Sequence, residues 1–471
     1  MFSQMFLPLV FALGSVLTYA SPTQPLQDRS YHVERDGTKY VVFDHAQTGA
    51  RMEFVNNSGI CETTPGVNQY SGYLSVGDNM NMWFWFFEAR NNASSAPLVA
   101  WFNGGPGCSS MIGLFQENGP CQFYNGSSEP SINPYSFNEY ANMIYIDQPI
   151  GTGFSYGTDT VDSAASAAPF VWKLLQAFYT QFPQYESRDF GLFTESYGGM
   201  YGPAFTSYFE SQNAAGAGEN VKLVALGINN GWLDSIYAYK AQIDFLYNNT
   251  WRNIIDESTY NSLTDSYNSD CLPALQQCQK SNSDTDCSAA LNTCGQEIED
   301  PLQQAGDFDV YDVRSGSNDP NPPATYSTYL TQSSVTSKIG AKVQYQECPE
   351  APYDKFATTG DDSRTYLENL STVVQSGVQT LIWAGDADWI CNWYGVLDAA
   401  NAIEYDGQDE FKSKALSPYT VNGVHKGDYK SVGSLSFLRA FAAGHEVPYY
   451  QPELALQVFI QTMQKKAISS T

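Results

Sequence analysis

The chain alternates short apolar runs with turns rich in glycine, asparagine and proline. The alternation predicts strands at 82–88, 98–102, 142–146, 190–193, 223–228 and 378–383. Helical patterns lie between several of these runs, most clearly at 163–182, and the separations are as long as those of parallel crossover connections. The pattern therefore predicts an α/β fold built on a parallel-rich sheet.

The alternation fades between residues 232 and 348. This stretch is rich in Ser, Asn, Asp and Gln, and it contains five of the nine cysteines. Neither an internal repeat nor a long linker sets it apart from its surroundings. We therefore predict a cap insertion at 232–348 on one catalytic core formed by 51–231 and 349–471.

The first fifty residues resemble segments that are removed from mature proteins. No charged side chain precedes Asp28, and residues 5–17 form an apolar run that is too short to span a bilayer. Residues 1–20 are therefore predicted to be a secretory signal peptide, with a buried first strand as the alternative. Residues 21–50 are polar and lack a clear apolar period, which makes them a candidate propeptide. No other segment of the sequence suggests a membrane anchor.

Composition and charge narrow the function classes. Hydrophobic residues make up 42% and charged residues 15%, which excludes a disordered chain or a coiled coil. The 50 acidic and 23 basic residues give a net charge of -27, which argues against nucleic-acid partners and is compatible with an acidic compartment. Five glycosylation triplets support passage through the secretory pathway. They begin at Asn56, Asn92, Asn125, Asn248 and Asn369.

Four cysteines in the predicted insertion have a palindromic spacing. Cys271, Cys278, Cys287 and Cys294 are separated by 7, 9 and 7 residues, which suits nested bridges 271–294 and 278–287. Four cysteines allow three pairings, so the spacing alone leaves the choice open. A structural zinc site is the alternative, although zinc sites favour shorter spacings. Because nine is odd, at least one thiol has no partner within the chain, and Cys391 is the candidate since it follows a buried strand.

A serine in a suitable local context marks a candidate nucleophile. Ser196 follows the predicted strand 190–193 at a strand-to-helix turn, the position that exposes a nucleophile above a sheet. Gly198 occupies the second glycine position of the usual pattern, whereas Thr194 replaces the first. A serine nucleophile needs a base with a near-neutral pKa, which is normally histidine.

Among the four histidines, His445 is the best candidate base. It follows Gly444 at the end of an apolar strand, so it is predicted to lie on a strand-end loop. His425 lies in a polar stretch and is predicted to be a surface residue, whereas His32 and His45 fall in the candidate propeptide.

The third member of such a site is a carboxylate that orients the imidazole. Asp386 and Asp388 both follow the predicted strand 378–383, and the residues alone do not choose between them. The order Ser, Asp, His along the chain is that of the α/β hydrolases.

These residues belong to longer blocks that resemble the signature sequences of the serine carboxypeptidases. The blocks are Trp101-Phe102-Asn103-Gly104-Gly105-Pro106-Gly107-Cys108-Ser109-Ser110, Glu195-Ser196-Tyr197, Gly385-Asp386-Ala387-Asp388-Trp389-Ile390-Cys391-Asn392 and Gly444-His445-Glu446-Val447-Pro448. The similarity includes Asp147-Gln148-Pro149 and Gly153-Phe154-Ser155-Tyr156, and it covers most of the chain after about residue 65. It implies an α/β-hydrolase fold with a central parallel-rich sheet and a disulfide-stapled cap insertion.

The resemblance also implies a choice between the aspartates and a set of disulfides. The family's aspartate lies three residues before a cysteine, here Cys391, which selects Asp388 over Asp386. Cys391 is implied to be a free thiol. The implied bridges join Cys108 to Cys348 and include both nested pairs, which leaves Cys61 to pair with Cys121.

The same resemblance implies roles around the scissile bond. The backbone N–H groups of Gly105 and Tyr197 are implied to form the oxyanion hole. Glu446 departs from the apolar residue that family members use to line the pocket of the released residue. The substrate's terminal carboxylate is implied to be held by Asn103, Gly104, Glu117 and Glu195, with the two glutamic acids sharing protons.

The resemblance therefore implies a serine carboxypeptidase that acts at acid pH through an acyl-enzyme. Its partners would be the C-termini of peptides and proteins, no metal or cofactor is expected, and its location would be extracellular or vacuolar. Two alternatives remain from the sequence: an acyltransferase or lyase on the same fold, or an inactive glycoprotein that binds through its cap. The oligomeric state is not predicted.

Overall fold

The computed structural model describes residues 28–35, 37–44, 50–124, 126–319 and 321–471. The predicted signal peptide, His45 and the glycosylation candidate Asn125 lie outside these residues. In chain order, strands β1 to β16 are Arg29–Arg35, Thr38–Asp44, Arg51–Asn56, Gln69–Gly77, Met80–Phe87, Leu98–Phe102, Cys121–Gln122, Ser131–Ile132, Asn142–Asp147, Tyr156–Gly157, Phe190–Glu195, Leu223–Asn229, Gln379–Gly385, Ser417–Val421, Val424–Val432 and Leu435–Ala440.

The helices fall mainly after β10. In chain order, α1 to α15 are Ala164–Gln181, Gly198–Ala215, Ser235–Tyr247, Glu257–Ser266, Leu272–Ser281, Asp284–Cys294, Asp300–Gln303, Thr325–Leu330, Ser333–Ile339, Glu350–Thr359, Leu367–Gln375, Trp393–Ala402, Gln408–Ser413, Val447–Tyr450 and Pro452–Met463. Short 3₁₀ turns are Phe137–Glu139, Pro183–Tyr185 and Asp361–Ser363, and π-helical turns are Gly113–Glu117, Tyr267–Cys271 and Gly295–Glu299. None of the described helices is long and apolar enough to cross a bilayer.

One large mixed sheet organises the fold. Its strand order is β1-β2-β3-β4-β5-β9-β6-β11-β12-β13-β16-β15-β14. The six strands from β9 to β16 in this order pair in parallel, and antiparallel strands flank them on both sides. The prediction of a parallel-rich α/β sheet is confirmed, and each of the predicted strands ends within two residues of an observed strand end.

Helices cover both faces of the parallel strands, which explains why these strands are apolar throughout. In β6, Leu98, Ala100 and Phe102 face the core that α1 and α2 cover, whereas Val99 and Trp101 face the core that α15 covers. Alternating side chains of a strand point to opposite faces, so a strand covered on both sides must be apolar at every position. This double burial produced the short continuous runs in the sequence.

The candidate propeptide contains two strands that the sequence pattern did not indicate. β1 and β2 form an antiparallel hairpin that extends the sheet beyond β3. β1 is largely exposed, so it lacks the apolar positions from which a strand is predicted. Arg35 bonds Glu53 of β3 at 2.5 Å, which ties the hairpin to the rest of the sheet.

The cysteines of the predicted insertion bring two of its helices together. Cys271 is bonded to Cys294 and Cys278 to Cys287, so α5 and α6 form an antiparallel pair closed by two bridges. The structure also contains the bonds Cys61–Cys121 and Cys108–Cys348, and Cys391 is a buried free thiol.

Candidate active site

The carboxyl ends of five neighbouring strands bring the candidate residues to one edge of the sheet. In an open parallel sheet this edge is where ligands bind, because the loops that leave the strands converge there. The residues at these ends are Asn103 after β6, Ser196 after β11, Asn229 at the end of β12, Asp388 after β13 and His445 after β16.

Ser196 lies in a tight, strained turn between β11 and α2. Its φ is +63°, a left-handed conformation that non-glycine residues rarely adopt and that clusters at functional sites. The Ser196 backbone N–H donates to Asn229 O at 3.0 Å. Thr194, the departure from the family pattern, donates its hydroxyl to Gly198 O at 2.8 Å. The threonine therefore fits beneath the turn and stabilises it.

His445 and Asp388 are hydrogen-bonded to each other. The distance from His445 Nδ1 to Asp388 Oδ2 is 3.0 Å, and both side chains are buried. Asn230 Nδ2 and the Cys391 backbone N–H also donate to Asp388 Oδ2, at 2.8 and 3.1 Å. These donors fix the carboxylate, so it can hold the imidazole in one orientation and tautomer.

Asp386 and His425 have different surroundings. Asp386 Oδ1 accepts from Trp251 Nε1 at 3.2 Å, and its Oδ2 lies 3.6 Å from the Arg439 guanidinium. His425 is exposed and lies 3.0 Å from Asp428. Neither residue therefore belongs to the group around His445.

The hydroxyl of Ser196 lies beside the thiol of Cys391. Among the hydrogen bonds of the described residues, none joins Ser196 to the His445 ring. Bonds between a nucleophile and its base are often long without substrate and tighten when substrate binds. Burial raises the pKa of the Cys391 thiol well above its usual range, and the nearby Asp388 carboxylate adds to this shift. Cys391 is therefore a neutral thiol here.

The glycine-rich turn after β6 packs directly against the turn of Ser196. A Cβ atom on Gly104 would lie 2.4 Å from Tyr197 N, so only glycine allows this approach. Gly105 has a φ of +105°. Within the described chain, the backbone N–H groups of Gly105 and Tyr197 donate to no acceptor. Two free backbone donors next to Ser196 can stabilise an oxyanion.

Two buried glutamic acids share an amide beside Ser196. Asn103 Nδ2 donates to Glu117 Oε1 at 3.0 Å and to Glu195 Oε1 at 3.1 Å, and Asn229 Nδ2 donates to Glu195 Oε2 at 2.7 Å. Burial raises the pKa of both carboxyl groups, and the charge of Glu117 raises the pKa of Glu195 further. Glu117 Oε2 is buried without a hydrogen-bond partner. The pair therefore retains protons at higher pH than free glutamic acid.

Glu446 lies next to this pair. Gln116 Nε2 donates to both of its carboxylate oxygens at 3.1 Å. Burial and the charge of Glu117 raise the pKa of Glu446 well above its usual range. Because one end of the site thus holds three acidic side chains, its charge depends strongly on pH.

Sequence reasoning missed three residues that organise the site. Asn229 bonds both Glu195 and His445 O, and Asn230 bonds Asp388. For Asn229 and Asn230, the only signal in the sequence was the Asn229-Asn230-Gly231 run at the end of β12. Tyr311 lies in the predicted insertion: its ring centroid lies 5.0 Å from that of His445, and its carbonyl accepts the His445 backbone N–H at 2.9 Å. No pattern in the insertion indicated this contact.

A strained serine, a buried Asp–His pair and free backbone donors at the carboxyl edge of a parallel sheet define a serine hydrolase of the α/β-hydrolase class. In the described residues, no three His, Cys, Asp or Glu side chains converge as metal ligands would. The family model described as serine carboxypeptidase matches residues 59–465, and the chain belongs to this family.

Curated relatives agree with this assignment. The chain is 66% identical over 423 residues to carboxypeptidase S1 of Penicillium janthinellum, covering 89% of this chain and 100% of that protein. It is 37% identical to carboxypeptidase Y homolog A of Talaromyces stipitatus over 407 residues, covering 84% of this chain and 72% of the relative. These relatives are carboxypeptidases, and neither supports the acyltransferase or lyase alternative. The chain is a serine carboxypeptidase and therefore acts on peptides.

A solved structure confirms the fold. The crystal structure of Kex1(Δ)p, a prohormone-processing carboxypeptidase from Saccharomyces cerevisiae, superposes with a TM-score of 0.71. The match covers 86% of this chain and 94% of the other at 22% sequence identity. The predicted α/β-hydrolase fold is therefore confirmed.

Proposed function

We propose that this serine carboxypeptidase removes C-terminal residues through an acyl-enzyme on Ser196, with His445 as general base and Asp388 as the carboxylate that orients it. The 3.0 Å hydrogen bond between His445 and Asp388, at the sheet edge that bears Ser196, is the main support. The strained turn of Ser196 presents its hydroxyl above the sheet, as nucleophilic attack requires.

The reaction then follows from the positions of these groups. Ser196 Oγ attacks the carbonyl carbon of the last peptide bond while His445 Nε2 takes the hydroxyl proton. The oxyanion accepts hydrogen bonds from the N–H groups of Gly105 and Tyr197. The C–N bond breaks, and the imidazolium gives its proton to the amine of the released residue. Water, deprotonated by His445, then hydrolyses the Ser196 ester and frees the shortened peptide.

Asn103, Gly104, Glu117 and Glu195 bind the terminal carboxylate of the substrate in this proposal. A protonated glutamic acid donates a hydrogen bond to an incoming carboxylate, whereas an ionised one repels it. Burial raises the pKa of both glutamic acids, and the charge of Glu117 raises the pKa of Glu195 further, so carboxylate binding is strongest in acid. This requirement for a free C-terminus makes the enzyme an exopeptidase and sets an acid working range.

The proposal is tested by labelling the intact protein with a fluorophosphonate and by following amino-acid release from an unblocked peptide at about pH 4.5. We expect one label per chain, located on Ser196 by peptide mapping, and release of single residues in order from the C-terminus. A blocked C-terminal amide of the same peptide serves as the control substrate. Labelling at another serine, or release of internal fragments, would contradict the proposal.

Glu446 is proposed to line the pocket for the released residue. It precedes α14 on the loop that carries His445 and lies beside the proposed carboxylate-binding pair. When ionised it attracts a released Lys or Arg, and when protonated it tolerates an apolar residue. Because the pKa of Glu446 is raised, it stays protonated to higher pH than a free glutamic acid. The preference for the released residue therefore changes as Glu446 ionises.

We expect Glu446→Met to lower kcat/KM for peptides ending in Lys or Arg by about 10-fold relative to those ending in Leu. The contrast should be larger at pH 6 than at pH 4, because more of the parent's Glu446 is ionised at the higher pH. Gln116→Leu, which removes the donor to Glu446, should shift the pH at which the preference appears. Identical Lys-to-Leu ratios in Glu446→Met and the parent at both pH values would show that Glu446 does not face the released residue.

The chain is further proposed to enter the secretory pathway through a signal peptide at 1–20. Its four disulfides fit an oxidising compartment, and the destination is extracellular or vacuolar. Residues 21–50 are proposed as a propeptide, and 232–348 as a cap on the core formed by 51–231 and 349–471. Of the glycosylation candidates, Asn56, Asn92 and Asn248 are exposed, whereas Asn369 is half-buried within α11.

A further inference from the structure

A buried carboxylate lies directly behind the turn of the nucleophile. Asp361 begins the 3₁₀ turn that follows α10, and it is completely buried. The hydroxyl of Tyr197 donates a hydrogen bond to Asp361 Oδ2. The Ala164 backbone N–H donates to the same oxygen at 2.7 Å, and the Tyr366 hydroxyl donates to Oδ1 at 3.1 Å. Three donors thus fix this carboxylate.

The same surroundings partly offset the cost of burying the Asp361 carboxylate: burial raises its pKa, whereas its three donors and Arg364 lower it. Ala164 is the first residue of α1, an 18-residue helix whose N-terminus favours an anion. The Arg364 guanidinium lies 3.6 Å from Asp361 Oδ1. Asp361 is therefore held as a rigid acceptor for the Tyr197 hydroxyl.

Tyr197 is the residue next to the proposed nucleophile, and both ends of it are held. Its backbone lies against Gly104 and its side chain is buried. Its ring centroid lies 5.0 Å from that of Tyr201 and 5.7 Å from that of Phe356, both in edge-to-face contact. Because the ring is packed on its sides and bonded at its tip, the orientation of the Tyr197 backbone is fixed as well.

The segment that contains Asp361 packs against the Cys278–Cys287 disulfide of the predicted insertion. Gly360 has a φ of +64°, and a Cβ atom there would lie 2.2 Å from the backbone of Cys287. Cys278 Sγ, bonded to Cys287, lies 3.3 Å from Ser363 O. The stapled helices α5 and α6 therefore contact the segment 360–363 directly.

We propose that Asp361 is a positioning residue for catalysis: through the Tyr197 hydroxyl it aims the Tyr197 backbone N–H at the oxyanion. The inference rests on the proposed function of that N–H group. Removing a whole oxyanion donor costs about 10²- to 10³-fold in kcat, so misaligning one should cost a part of this. Substrate binding before the reaction uses other groups and should change little.

The experiment compares Tyr197→Phe and Asp361→Ala with Tyr366→Phe as the matched control. The control removes a hydroxyl from the same carboxylate but leaves the bond to Tyr197 intact. We expect Tyr197→Phe and Asp361→Ala to lower kcat by about 10- to 100-fold with KM within about 2-fold of the parent. The rate constant for fluorophosphonate labelling should fall in proportion. Tyr366→Phe should keep kcat within about 3-fold, even where its melting temperature falls as far as that of Tyr197→Phe.

Further variants separate positioning from stability. Asp361→Asn retains one acceptor for the Tyr197 hydroxyl and should recover part of the kcat lost in Asp361→Ala. In the double variant Tyr197→Phe with Asp361→Asn, the kcat losses should not add, because both act through one hydrogen bond. Equal kcat losses in Tyr197→Phe and Tyr366→Phe, or losses that follow melting temperature alone, would overturn the inference. If Ser196 of the parent is labelled but the variants react at the parental rate, only this inference fails; if Ser196 is not labelled, the proposed function fails.

Discussion

Ser196→Ala and His445→Ala are each expected to abolish peptide hydrolysis. In the proposed mechanism the nucleophile and its base act as one unit, so removing either should reduce kcat by about 10⁴-fold or more. Peptide affinity should stay within about 3-fold of the parent, because the proposed carboxylate-binding residues are untouched. The measurements are single-turnover rates and equilibrium binding of an unblocked peptide at acid pH. Residual turnover above about one hundredth of the parental rate would contradict the assignment.

The two aspartates provide a matched comparison for the same prediction. Asp388→Asn keeps the shape of the side chain but replaces the carboxylate that bonds His445 Nδ1 by a neutral amide. Because the imidazole then loses its charged partner, kcat should fall by about 10³- to 10⁴-fold. Asp386→Asn makes the same chemical change two residues away, where the partners are Trp251 and Arg439. It should reduce kcat by less than about 10-fold. A larger loss in Asp386→Asn would reverse the proposed roles.

The second large effect is expected in the pH dependence of peptide binding. Burial raises the pKa values of Glu117 and Glu195, so both are protonated in acid and lose their protons at higher pH than a free glutamic acid does. Each proton lost replaces a donor by a negative charge facing the substrate carboxylate. The KM for unblocked peptides should therefore rise at least about 10-fold between pH 4.5 and pH 7.5, while kcat changes less.

Controls for this prediction come from both substrate and protein. An ester or amidated substrate lacks the terminal carboxylate, so its KM should change little over the same range. Glu117→Gln or Glu195→Gln should flatten the dependence, because the amide donates a hydrogen bond at every pH. Glu210→Gln removes another carboxyl group with a raised pKa, on α2 and outside this group of residues, and should leave the profile unchanged. A peptide KM that stays constant across the range would exclude the carboxyl pair as the binding group.

The central parallel strands could be predicted because strands buried on both faces appear in the sequence as continuous apolar runs. β6, β11 and β13 are covered on both faces, so each appears as an apolar run followed by a turn. β1 and β2 could not be predicted in this way. Most of β1 is exposed, and its pairing with β2 depends on backbone hydrogen bonds, which leave no compositional pattern.

The site was predictable to the extent that its chemistry requires particular residue types. Ser196 and His445 stood out because a serine nucleophile is expected on a strand-to-helix turn and needs a histidine as its base. The choice between Asp386 and Asp388 depended on family resemblance, since both follow the same strand. Tyr311 and Asp361 reach the site from distant parts of the chain, and only the tertiary structure shows that contact.

The hairpin at the edge of the sheet bears on aggregation. An exposed strand edge is a template for pairing with another molecule, and charged side chains protect against this. β1 is such an edge, with Arg29, Glu34 and Arg35 along it. If the hairpin were removed with the propeptide, β3 would become the edge strand; Arg51 and Glu53 would then supply the charges, with Lys342 still 2.9 Å from Glu53. With or without the hairpin, the edge strand therefore bears charged side chains, which oppose aggregation through pairing of strand edges.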